Sequence, residues 1–461
     1  MRLIKFEAMF FVKELNSLFN SRLKSENPLS VCTDSRLIKS DQIFLPLEGE
    51  NFDGHDYINS IFESKNRKKN PSVFSFCERR KINKVKKIHR NKLILVKNTL
   101  SAYHTLANYY RKKVDPVVIA ITGSSGKTTT KDLVSEVLSH SFKTYKTRLN
   151  FNNEIGVPKT ILEMPENTEV LILELAMRGK GEIEQLSKIA EPDLAVIINV
   201  GTAHIGRLGN IQSIISAKCE ILKHLKKNGI AIIHNDQKLL KTVNKVWKGK
   251  TATFDLNQAS DISFKDGKSH FTVDIKKLCY EKYSVNALGN IHVLNSLAAI
   301  LIAKYLGMSK QEIQKGLSTF EIPAGRGKLL KILNDSYVID ESYNANPESV
   351  KAAVNNMVDC WKNGYNKVLI LGELAELGKH EKKLLYDLAK WLKKQKLSNI
   401  ITVGKKIKPF FSAQNVKNTI NTEECRAILK KLLTPHTVVL IKGSRVAKLE
   451  EVIENLVTNK V

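Results

Sequence analysis
Short apolar runs alternate along this chain with segments whose apolar residues return every three or four positions. Val117–Ile121, Val170–Leu173, Leu194–Val200 and Ile230–His234 are nearly continuous apolar runs of strand length, the kind buried in parallel sheets. Tyr337–Ile339, Lys367–Leu371, Asn399–Val403 and Thr437–Ile441 repeat the scheme between helical stretches, a doubly wound α/β spacing that starts near Pro323. The pattern before residue 113 is more mixed, with short strands at Gln42–Leu47 and Lys92–Lys97 and a helix over Leu100–Lys113. Asp115-Pro116 then reads as a linker. The expected fold class is α/β in three domains: a small mixed domain over 1–113, a central parallel-sheet domain over 114–320, and a Rossmann-like domain over 321–461. No internal repeat or low-complexity tract interrupts this order.

The first central strand runs into Thr122-Gly123-Ser124-Ser125-Gly126-Lys127-Thr128-Thr129, followed by the helical pattern KDLVSEVLSH. Such a turn aims backbone N–H groups at one spot above the positive end of a helix. Lys127 adds a mobile cation and Thr128 a hydroxyl for Mg²⁺, so the segment reads as a nucleotide-phosphate cradle. It departs from the general P-loop at position 121, which is Ile where that pattern has Gly. A plain Gly/Ser turn between strand and helix is the alternative, and it leaves the lysine and threonines unexplained.

Composition narrows the class. With 461 residues, 42% hydrophobic and 26% charged, the chain is a globular protein too long for one core. The amphipathic start MRLIKFEAMFFVKELNSLF lacks a signal-peptide core, and no run is long enough to span a membrane, so a cytoplasmic protein is expected. Six scattered cysteines, at 32, 77, 219, 279, 360 and 425, suggest neither a disulfide framework nor a zinc site. The net charge of +28 includes a stretch, 65–92, with twelve Lys/Arg against Glu78 alone. That stretch lacks the interleaved aromatics of a single-strand platform, and lysine excess runs through the whole chain; no nucleic-acid partner is expected.

Ligands of open parallel sheets sit at the carboxyl ends of the strands. Two further central strands deliver Glu174 and the stretch Gly201-Thr202-Ala203-His204 to such ends, where a carboxylate and a neutral imidazole could hold Mg²⁺ beside the phosphates. Taken singly, Glu174 could cap a helix and His204 could be a satisfied loop histidine.

These residues resemble the Mur ligases, ATP-dependent amide-bond-forming enzymes of peptidoglycan synthesis. The resemblance runs through TDSRLIKSDQIFLPLEGENFDGHDYI (33–58), TGSSGKTTTKD (122–132), NFNNEIGVPKT (150–160), ELAMRGKGEI (174–183), NVGTAHIGRLG (199–209) and AKCEIL (217–222). It continues in GNIHVLNSLAA (289–299), PAGRGK (323–328), VIDESYNANPESVKAA (338–353), GELAELG (372–378) and LIKGSRVAKLEEVI (440–453). MRGKGEI, YNANPESVKAA, GELAELG and KGSR narrow it to the branch that adds D-alanyl-D-alanine to UDP-N-acetylmuramoyl-tripeptide.

The resemblance implies that ATP phosphorylates a substrate carboxylate and an amine then attacks the acyl phosphate. It assigns Gly123–Thr129 to the nucleotide, Thr128 and Glu174 to one Mg²⁺, and His204 and a carbamylated Lys218 to a second. Asn295 is assigned to adenine, Arg326 to the γ-phosphate and Asp340 to the ribose. The family's usual Gly-x-His-Asn-x-x-Asn reads here with Ile291 and His292 in place of its histidine and first asparagine. Ser35, Arg36, Gly49, Asp53 and His55 are placed at the uridine diphosphate, with Asn152 and Asn153 reaching the diphosphate or sugar. Tyr343, Asn344 and Asn346 are expected to face the interdomain cleft. Lys442, Ser444 and Arg445, expected to open a helix, would take the dipeptide carboxylate. A monomer is expected. The rival readings are a basic nucleic-acid-binding NTPase, a non-catalytic scaffold, and a Mur ligase adding a diamino acid.

Overall fold
The computed structural model describes residues 7–63, 73–275, 279–332, 335–361 and 364–457; residues 65–72 of the basic stretch lie outside them. Packing divides the chain into two compact units, and the division runs through the strand Val117–Thr122.

The first unit comprises residues 1–118, 143–175 and 188–191. Its five-stranded sheet runs in the order Met9–Phe10, Leu29–Cys32, Gln42–Phe44, Val73–Glu78, Leu93–Val96. The first pair is antiparallel and the remaining pairs are parallel. The strand expected over Gln42–Leu47 stops at Phe44, because the Leu45 amide turns to the Cys32 carbonyl (2.9 Å) and Pro46 has no N–H for a ladder. The helix Thr99–Val114 starts where the Asn98 side chain accepts from the Ser101 amide (2.8 Å) and ends on Asp115 at φ 51°. The same unit contains the parallel pair Thr144–Lys146 and Val170–Glu174 and the helix Gly156–Leu162.

The second unit comprises residues 119–142, 176–187 and 192–461. Its parallel strands Val117–Thr122, Leu194–Ile197, Ile230–His234 and Lys250–Phe254 pair in that order, Ile119 opposite Leu194 and Leu194 opposite Ile230. The apolar run Leu194–Val200 leaves the ladder after Ile197, and Asn199 turns to the phosphate-type loop. A three-stranded antiparallel sheet (Ala259–Lys265, Lys268–Ile275, Cys279–Val285) follows; the sequence reading did not anticipate it. The helix Asn290–Tyr305 is apolar nearly all round and packs against the helix Lys127–Leu138, which is why so little of it shows helical amphipathicity.

A second six-stranded sheet completes the unit, in the order Lys328–Ile332, Ser336–Glu341, Thr437–Lys442, Asn366–Gly372, Asn399–Val403, Val416–Thr419. Only its first pair is antiparallel. The helices Pro347–Cys360, Glu381–Leu392 and Thr422–Leu432 alternate with these strands, so the doubly wound reading holds.

Candidate active site
The loop after Val117–Thr122 enters the helix Lys127–Leu138 through Gly126, whose φ of 78° a side chain tolerates poorly. Asn199 braces this loop. Its Oδ1 accepts from the amides of both Ser124 and Ser125 (3.0 Å each), and its Nδ2 donates to the Ser125 carbonyl (3.1 Å). The Ser124 hydroxyl bonds the Gly201 amide (2.8 Å). Two of the amides expected to face phosphate are thus turned to Asn199. The helix that starts at Lys127 brings its N-terminal end to this loop, the end of a helix that suits an anion. Lys127 lies back over the loop, its Nζ donating to the Gly123 carbonyl (2.9 Å). Asn295 is buried, and its Oδ1 lies 3.7 Å from where a Gly126 side chain would begin.

Lys218 is 1% exposed near the end of the helix Ile211–Cys219. Among the described residues no hydrogen bond or ion pair reaches its ammonium. Burial, reinforced by the positive charge of Lys127, holds its pKa well below the ordinary lysine value. The two lysines therefore share one neighbourhood, which shifts Lys218 toward its neutral amine. His204 follows the strand Leu194–Ile197 in a left-handed conformation (φ 66°), with Nδ1 2.7 Å from the Glu376 carboxylate. The backbones meet there as well: the Gly206 amide donates to the Glu376 carbonyl (3.3 Å), and a side chain on Gly206 would strike Gly378. Thr202 donates to Glu348 (2.5 Å). Neither Asn199, Glu376 nor Glu348 was singled out from sequence, although all three lie inside quoted motifs.

Arg326 stacks on Tyr343, 3.8 Å from the ring centre, and Arg445 reaches the same ring at 5.6 Å. Asp340 is committed to this turn: Oδ2 accepts from the Gly325 amide (2.8 Å), and Oδ1 from the Ser342 hydroxyl (2.6 Å) and amide (3.1 Å). Its carboxylate fixes the segment that carries Arg326. Asn344 bonds the Ala345 amide (2.9 Å), and Asn346 caps the helix Pro347–Cys360 through the Ser349 amide (2.8 Å). Lys442 is buried and donates to Glu341 (2.8 Å) and to the Asn344 carbonyl (3.1 Å). The expected helix start at Lys442–Arg445 is corrected. Lys442 ends a strand, Ser444 precedes a single 3₁₀ turn, and its hydroxyl donates to the Glu373 carbonyl (2.5 Å) instead of capping. Glycines at 372 and 443 let these two strand ends approach to about one atom's width.

In the first unit, Ser35, Arg36 and Asp34 line a cavity of about 630 Å³ with Phe52, Tyr57 and Lys159. Arg36 clamps Asp34 through two bonds (2.9 and 2.7 Å) and holds its carboxyl down at about 2. Gly49 packs under the exposed Phe52 ring, which would have to shift to admit a side chain there (2.5 Å). His55 and Asp53 do not line this cavity. The His55 ring is buried, with Nδ1 on Asp53 (2.7 Å) and Nε2 accepting from the Glu78 amide (3.2 Å), and burial keeps it neutral. Asp53 in turn accepts from Lys81 and Lys84 (2.9 Å each). Both act on the loop's shape. Phe52, Tyr57 and Lys159 lie inside quoted motifs but were given no role from sequence; their place around one cavity is visible only in three dimensions. Asn152 donates to Glu174 (2.8 Å), whose own amide is held by Thr147 (3.0 Å), and Asn153 accepts from the Gly156 amide (2.9 Å).

Three family profiles match in chain order: a Mur ligase family catalytic domain over 30–111, a Mur ligase middle domain over 121–303, and a Mur ligase glutamate ligase domain over 325–445. The UDP-N-acetylmuramoyl-tripeptide–D-alanyl-D-alanine ligase of Bacillus subtilis is 34% identical over 437 residues, 93% of each chain. Among solved structures, MurF ligase from Thermotoga maritima in complex with ADP aligns with a TM-score of 0.82 at 25% identity, covering 95% of this chain and 97% of that one. The UDP-N-acetylmuramoylalanyl-D-glutamyl-2,6-diaminopimelate–D-alanyl-D-alanyl ligase of Acinetobacter baumannii aligns at 0.82 and 27% identity, covering 98% and 99%. With matches that run from end to end and a three-domain α/β layout in common, the chain belongs to the Mur ligase family.

Proposed function
We propose that this chain is the ATP-dependent ligase that joins D-alanyl-D-alanine to UDP-N-acetylmuramoyl-tripeptide, releasing ADP and phosphate in peptidoglycan precursor synthesis. The observation that carries the reading is the match along 93% of the chain to a relative with that activity. We place the domain boundaries at 1–113, 114–320 and 321–461, and the enzyme acts as a monomer in the cytoplasm. Among the described residues no helix is long and apolar enough to cross a membrane.

A carboxylate is a poor electrophile, so the γ-phosphoryl group first moves to the acceptor carboxylate. The dipeptide amine then adds to the acyl phosphate, and phosphate departs from the tetrahedral adduct. Phosphoryl transfer asks for positioning and charge neutralisation, which Lys127 and the first-turn amides of its helix supply. Thr128, Glu174, His204 and Lys218 would hold Mg²⁺, which when bound neutralises the charge developing on the phosphates. Among the described residues no three His, Cys, Asp or Glu side chains form a ready metal cluster. Mg²⁺ takes few protein ligands and completes its shell with phosphate and water. The neutral amine of Lys218 fits as well: it can add to CO₂, releasing a proton and becoming an anionic oxygen donor, which an ammonium cannot be. Arg326 faces the γ-phosphate and Asn295 the adenine. Asp340 reaches the ribose only while keeping its bonds to the turn. The cavity with Ser35 and Arg36 takes the uridine diphosphate, with Gly49, Asp53 and His55 shaping its loop and Asn152 and Asn153 toward the sugar. Tyr343, Asn344, Asn346, Lys442, Ser444 and Arg445 form the dipeptide end, with the exposed Arg445 as its free cation.

ADP formation from ATP with UDP-N-acetylmuramoyl-tripeptide is the test, comparing D-alanyl-D-alanine, diaminopimelate and glutamate as amine donors. Turnover with the dipeptide alone is expected. Preference for either amino acid, or hydrolysis driven by nucleic acid, refutes the reading.

A further inference from the structure
A groove of about 850 Å³ in the second unit lies outside every assignment made above. Arg178, Lys180 and Arg207 line it. Among the described residues no hydrogen bond or ion pair ends on either guanidinium or on the Lys180 ammonium. The one acid in its wall, Glu182, accepts from the Arg178 backbone amide (2.7 Å) and reaches none of the three cationic head groups by a hydrogen bond or ion pair among the described residues. Ser213 and Ser216 complete one side from the helix Ile211–Cys219, the helix that buries Lys218. Arg207 lies one turn beyond His204. Three cations thus line one groove, and two of them, Arg207 and Arg178, lie within electrostatic reach of Glu376, the partner of His204. A carboxylate already sits at its edge, since Glu376 contacts His204 and is drawn further below its usual range by Arg207 and Arg178.

We infer that Arg178 and Arg207 hold the non-reacting carboxylate of the acceptor's glutamyl residue while its terminal carboxylate is activated beside them. This rests on the function proposed above. A glutamyl residue inside a peptide keeps one carboxylate out of the chain bonds, whatever the third residue is. That residue precedes the reacting one, and extended chain spans about 3.5 Å per residue. Whichever glutamyl carboxylate is linked, seven bonds separate the free carboxylate carbon from the reacting one, so the two lie within about 9 Å and one region of the site can hold both. Guanidinium forks bind carboxylate bidentately, giving position as well as charge. Lys180 adds field at the rim.

The test is calorimetric, without ATP. UDP-N-acetylmuramoyl-tripeptide is titrated against the analogue whose free glutamyl carboxylate is a carboxamide, in wild type and in the Arg178→Gln/Arg207→Gln double variant. ADP titration serves as the control for folding. The wild type is expected to bind the carboxamide about tenfold more weakly, a charge-assisted pair's worth. The double variant is expected to bind both forms alike, with ADP affinity unchanged. Equal affinity of the wild type for both forms, or discrimination retained in the variant, overturns the inference alone. No binding of the tripeptide nucleotide by the wild type overturns the functional reading with it. Should the double variant fail to bind ADP, R178Q and R207Q singly decide the matter by the same comparison.

Discussion
Lys218 is one of many lysines in a chain of net charge +28, and only its place in AKCEIL, shortly after His204, marks it. Its chemistry comes from complete burial beside Lys127, which no composition reveals. Lys218→Ala is expected to lower turnover about 100-fold or more, as loss of a preorganised electrostatic group does. Acetate or formate in the assay should restore part of it; near-wild-type turnover of the variant removes the carbamate. His292 is likewise set by its surroundings: burial holds it neutral down to about 4. The unfolded chain takes up that proton near 6.5, so stability from this group is present above 6.5 and is lost as pH falls toward 4. Over that window urea unfolding should show wild type losing about 3 kcal/mol more than His292→Leu. Equal slopes would mean the ring is not buried in solution. His55 makes the opposite point, since a polar GH dipeptide in a turn reads as a binding residue but is walled in by Asp53 and Glu78.

The strand Val117–Thr122, its loop and the following helix were legible because each depends on neighbours in sequence: a continuous apolar run, glycines at the turn, a helical period after it. The brace on that loop was not legible, because Asn199 comes from a different strand. Asn199→Ala removes the acceptor for two amides at about 1 kcal/mol each, and ADP should bind roughly 30-fold more weakly. Unchanged ADP affinity in a calorimetric titration would show that the loop keeps its shape alone. The antiparallel strands Ala259–Lys265 and Lys268–Ile275 escaped notice because serine, aspartate, lysine and histidine fill their exposed positions and leave no continuous apolar run. The expected helix at KGSR failed for a related reason. Ser444 resembles an N-cap in one dimension, but its hydroxyl is taken by Glu373 across the sheet end.

The excess of 74 Lys/Arg over 46 Asp/Glu matches the charge of two of the proposed substrates, ATP and the tripeptide nucleotide, which are polyanions. A field of that sign raises the encounter rate and leaves the chemical step alone. kcat/KM for the tripeptide nucleotide should therefore fall several-fold between about 0.05 and 0.5 M NaCl, where screening lengths shrink to a few ångströms, with kcat nearly constant. A salt-independent kcat/KM would show that the charge is only a solvated surface.

Period, turn chemistry and quoted motifs in the chain were enough for the α/β class, the phosphate loop and the family, since those signals are short-range and survive in one dimension. Which cations stay unpaired, which lysine loses its proton and which histidine is walled in depend on burial and on partners far away in sequence. Desolvation and charge pairing exist only between surfaces that folding brings together, so those roles were written by packing.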